Sequence, residues 1–83
     1  MHALTIQVMQ TTLAAADVPA LYRSILTLVV ELERCDGRVE AHRIRDRAVA
    51  AYSGPWDERH RRRLVDLEER LRGSIAVHRQ PVR

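Results

Sequence analysis

VPALYRSILTLVVELERC, residues 18–35, is the stretch whose reading decides the fold. At about 100° per residue a helix here gathers Leu21, Ile25, Leu28, Val29, Leu32 and Cys35 on one face, and Tyr22, Leu26 and Val30 widen the apolar arc to about 220°. The punctuation agrees. Asp17 is available as an N-cap, Pro19 is tolerated in a first turn, and Gly37 suits the C′ position beyond the end. Half of such a helix cannot face water. It reads as either the central helix of the fold or the seam of an oligomer, and Leu21, Ile25, Leu26, Val29 and Val30 are the expected interface residues, with Leu26 and Val30 buried between chains.

Upstream, residues 3–16 carry two patterns. Leu4, Ile6 and Val8 alternate with polar residues as in a strand, whereas Ile6, Met9, Leu13 and Ala16 fit a helix, which the alanines at 14–16 favour. Helix is the expectation; a strand would find its partner in Ser74–His78, through Ile75 and Val77. Downstream, Val39–Tyr52 turns Ala41, Ile44, Ala48, Ala51 and Tyr52 to one side, a small-residue face suited to close helix packing. A last helix begins at Ser53-Gly54-Pro55, with proline in its first turn and Asp57 and Glu58 at the positive end of its dipole, and is expected to end near Gly73. Trp56, His60, Leu64, Leu67 and Leu71 form its stripe, and Trp56 is expected to pack under the preceding turn and anchor it.

These pieces predict an all-α chain: a single helical domain over 1–83, a bundle of three to four helices or a helical hairpin assembly completed by dimerisation, with 78–83 as a frayed tail. At 83 residues a single core is only marginally sufficient, which favours a homo-oligomer. With 46% hydrophobic and 30% charged residues the chain reads as neither disordered nor membrane-embedded. The lone Cys35 excludes an intramolecular disulfide and, with no visible secretory signal, points to the cytoplasm.

All 14 basic residues are arginine. GC-rich coding can produce that bias, but guanidinium groups favour interfaces whatever the origin, because they bind carboxylates and phosphates in planar, bidentate fashion. The charge is uneven: residues 1–37 hold two arginines against four acids, and the remainder twelve against seven. Helical spacing places Arg59, Arg63 and Arg70 in one stripe, with Arg43 and Arg47 together on the preceding helix, the candidate contacts for nucleic acid. Asp57, Glu58 and Asp66 interleave with them and oppose a phosphate backbone. A helix-turn-helix reading fails in part, since a recognition helix opening Trp56-Asp57-Glu58 offers little for base readout.

Cys35, Asp36, Glu40 and His42 bracket one turn but lack the paired spacing of a metal site. No phosphate loop and no nucleophile with a base and an orienting group can be traced, so no catalytic residue, metal or cofactor is expected. The expected function is a small non-enzymatic interaction or regulatory protein acting through dimerisation and contact with a protein partner. The alternative is a basic, nucleic-acid-binding transcriptional regulator.

Overall fold

The structure, a computed structural model, describes the backbone of residues 2–80 and the side chains of residues 17–80. Three helices follow one another: α1 His2–Arg34, α2 Arg38–Ser53 and α3 Glu58–Arg79. Pairs distant in sequence fix their directions. Arg61 reaches Asp17, with Nη2 at 3.1 Å from Oδ2, and Arg79 pairs with Glu31, so α1 and α3 run parallel. Tyr22 stacks on Tyr52 at one end of α2, while Ser74 Oγ donates to Glu40 Oε1 at 2.7 Å near the other, so α2 runs against both.

The core lies between the three helices. Ile25, Leu32, Ile44, Leu64 and Leu71 are its largest fully enclosed side chains, and Val18, Leu28, Val29, Leu67 and Ile75 pack with them. From α2 the core takes Ala41, Ala48 and Ala51 beside Ile44, and this small-residue face lets the backbones of α1 and α3 approach closely.

Several boundaries differ from the sequence reading. The two pieces expected on either side of Asp17–Pro19 are one helix, so Asp17 is no cap and Pro19 lies inside α1. Proline removes one backbone donor, which is not enough to end a helix preceded by an alanine run and followed by packed turns. Residues 3–16 and Ser74–His78 are both helical, not paired strands. The side chains of Ile6, Met9, Leu13 and Ala16, and residues 81–83 of the expected tail, lie outside the described residues.

α3 passes through Gly73 and runs to Arg79, including the expected start of the fraying at His78. Buried Ile75 extends the Leu64–Leu67–Leu71 stripe by one turn, and the Ser74–Glu40 and Arg79–Glu31 contacts hold the final turns. Gly73 is thus an exposed helix-interior glycine whose added Cβ would meet nothing within 4 Å. Gly73→Ala is expected to raise stability by about 0.5–1 kcal/mol, read from the midpoint of denaturant unfolding.

α1 ends one residue earlier than Gly37 at C′ would require. Asp36 occupies the left-handed position with φ 68°, its N–H bonds Glu33 O at 3.2 Å, and the Gly37 N–H bonds Leu32 O at 2.9 Å. This is the paired hydrogen-bond pattern of a Schellman end, with aspartate where glycine is usual. α3 starts after Pro55, because Asp57 adopts extended backbone and accepts from the His60 N–H at 2.9 Å, setting the first turn at Glu58.

Candidate functional site

Of the seven arginines of α3, Arg59 and Arg62 are exposed with no ion-pair partner among the described residues, and the other five lie on two flanks. On the flank toward α1, Arg61 bonds Asp17 and Glu58, Arg72 lies 3.8 Å from Glu68, and Arg79 pairs with Glu31. On the flank toward α2, Arg63 and Arg70 have no ion-pair partner among the described residues, and neither has Arg47 across from them.

These three line one open groove of about 430 Å³ between α2 and α3, together with Ala50, Ala51, Asp66 and Leu67. Its floor is apolar. Ala51 and Leu67 belong to the core and Ala50 is exposed, while Arg47, Arg63, Asp66 and Arg70 stand exposed at the rim. Alanine at 50 and 51 leaves the room, since a longer side chain there would fill the space between the helices. Of the five arginines that spacing singled out, three are brought together here; Arg43 and Arg59 are exposed one helical turn from Arg47 and Arg63 and do not line the groove.

The expected interface residues separate in the same way. Ile25 and Val29 are 0% and 2% exposed within the single chain, which corrects their reading as contacts between copies: α2 and α3 already cover that face. Leu21 and Leu26 are half-buried, and Val30 is 47% exposed.

Trp56 is also corrected. It is not under the turn but at its surface, 36% exposed, as the outer member of an aromatic ladder in which Tyr22 and Tyr52 stack at 4.1 Å and Tyr52 and Trp56 lie 5.1 Å apart. Its indole donates to Tyr52 O at 2.7 Å and so satisfies one of the carbonyls left open at the end of α2. Neither ladder nor bond was visible in the periodicity, because Trp56 precedes α3 and is not part of its stripe.

His60 sits at the core edge, with its side chain 18% exposed and its ring Nδ1 2.6 Å from Asp57 Oδ1. The His60 backbone N–H, and then its ring, hold the Asp57 carboxyl below the usual carboxylate range. A group whose folded pKa is depressed contributes stability above its unfolded pKa and loses it as pH falls through the folded one. Asparagine caps equally well but does not titrate. The stability advantage of the native chain over Asp57→Asn is therefore expected to decline as pH falls below about 4 and to be gone once the pH is below the depressed folded pKa, in thermal unfolding of both proteins across an acid series.

Among the described residues no three His, Cys, Asp or Glu side chains lie close enough to hold a metal ion, so Cys35, Asp36, Glu40 and His42 do not converge. No helix among them is long and apolar enough to cross a membrane. The chain matches no known protein family, no characterised protein and no solved structure.

Proposed function

We propose that this chain is a non-enzymatic helical interaction module that acts by self-association and by contact with a protein partner. The observation that carries the reading is the length of α1. With 33 residues it measures about 50 Å, against about 33 Å for the 22 residues of α3. Arg61 ties Asp17 to the opening turn of α3, so residues 2–16 continue past that end of the bundle, in keeping with a molecule 60 Å long.

In sequence those residues contain no Asp, Glu or Arg, and Ile6, Met9, Leu13 and Ala16 recur at the spacing of one helical stripe. A single uncharged helix of that length is marginal in water. The same segment of a second copy is a self-complementary cover for it, closing as a two-fold dimer. Leu26 and Val30 add apolar surface farther along the same helix.

Light scattering on the intact chain and on a chain beginning at Asp17 tests this. The core runs from Val18 to Ile75 and is retained in the short form. The intact chain is expected to be a dimer or larger and the short chain a folded monomer, with helicity followed by circular dichroism; Leu13→Glu in the full chain provides the same loss of association without truncation. A monomeric intact chain at high micromolar concentration would contradict the proposal.

The regulator reading draws on the unpaired arginines of the groove. Asp66 stands among them and lowers the net positive charge that phosphate-backbone binding needs.

A further inference from the structure

We propose that the groove between α2 and α3 is a docking site for an acidic amphipathic helix of a partner protein. Two independent features meet there. The first is the division of the arginines: one residue type on one helix is neutralised within the chain on the flank toward α1, while Arg63 and Arg70, joined by Arg47, are left without carboxylate partners. Three guanidinium groups against the single carboxylate of Asp66 leave the groove with an excess of positive charge, which an incoming carboxylate offsets while making charge-assisted, bidentate bonds.

The second is the floor. Ala50 and Ala51 from α2 and Leu67 from α3 make it apolar, with small residues on the α2 side. A helix carrying apolar residues at i, i+3 or i+4, and i+7 lays such a face into a two-helix groove, and its flanking positions then fall against the rim. Apolar floor and cationic rim together select acidic side chains beside an apolar stripe. A phosphate backbone would use only the rim and leave the apolar floor uncovered.

The groove is lined by α2 and α3 alone, so it does not involve the α1 segment through which copies are proposed to associate. Its occupancy and the oligomeric state are read separately.

The test uses the intact protein and three labelled probes: a synthetic helix with leucines along one face and glutamates on both flanks, its lysine-for-glutamate counterpart, and a duplex of mixed sequence. Fluorescence anisotropy gives affinity, and amide chemical-shift mapping gives location. The acidic helix is expected to bind, to shift the amides of Ala50, Ala51 and Leu67, and to weaken at least about tenfold when Arg47, Arg63 and Arg70 are all replaced by glutamine, because three charge-assisted contacts go together. Ala50→Glu, a single exposed change, is expected to weaken it as well, and Arg72→Gln on the opposite flank to leave it unchanged. Acidic-helix binding no tighter than that of the lysine helix, or unaffected by the triple replacement or by Ala50→Glu, would overturn the proposal. So would duplex binding tighter than that of the acidic helix with the same amides shifted, which would assign the groove to phosphate.

Discussion

Leu64→Ala is expected to destabilise the chain by about 3–4 kcal/mol, the cost of a cavity left by a leucine at 0% exposure that cannot collapse fully. Leu64 is the first buried residue of α3, and the stripe it begins continues through Leu67, Leu71 and Ile75 along the length of the core. A domain of this size holds only about 5–10 kcal/mol in total, so the variant should be close to half-unfolded in mild denaturant. Urea unfolding followed by circular dichroism measures it. A cost below about 1 kcal/mol would mean that α3 does not pack on α1 and α2 as described.

Gly37→Ala carries the second large effect, about 2 kcal/mol of destabilisation, and its cause is steric. A Cβ on Gly37 would lie 2.5 Å from Leu32 Cδ1 and 2.6 Å from its Cγ, and Leu32 is fully enclosed by the core, so it cannot swing aside. Backbone strain is not the reason, because Gly37 has φ −91°. The strained residue is Asp36, and Asp36→Gly is expected to stabilise by up to about 1 kcal/mol by placing glycine in the left-handed position. The two changes thus move the urea midpoint in opposite directions. Were Gly37 itself the left-handed residue, as its place in the sequence suggests, replacing Asp36 would bring no gain.

That pair shows where local signals run out. Asp36-Gly37 marks the end of α1 in sequence, but the left-handed residue is Asp36, and Gly37 lies where a Cβ would meet Leu32. Pro19 and Gly73 are breakers by type and neither breaks a helix, since the packed turns that follow Pro19 and flank Gly73 outweigh one lost hydrogen bond or one flexible residue. The faces of α2 and α3 were legible because Ala41, Ile44, Ala48 and Ala51, and Leu64, Leu67 and Leu71, keep a clean helical period. In residues 18–35 the apolar arc is so wide that period alone could not divide it, and Ile25 and Val29 were assigned outward when two other helices of the same chain cover them.

For the groove, spacing found the Arg59, Arg63 and Arg70 stripe but could not foresee which arginines stay unpaired. Arg61 meets Asp17 across 44 residues and Arg79 meets Glu31 across 48, contacts that follow only from the parallel course of α1 and α3. The N-cap at Asp57 was within reach, since an aspartate just before a polar first turn is a standard start signal; the preceding proline drew the boundary at least three residues too early.

The proposed association pairs residues 2–16 of α1 with the same segment of a second copy. Double electron–electron resonance tests it most directly, with a nitroxide on Gln10→Cys in a Cys35→Ala background so that each chain carries one label. A defined distance between labels on different chains, fading as unlabelled protein is added, is expected. A featureless decay at concentrations where the protein is fully folded, with no distance to fade, would contradict it.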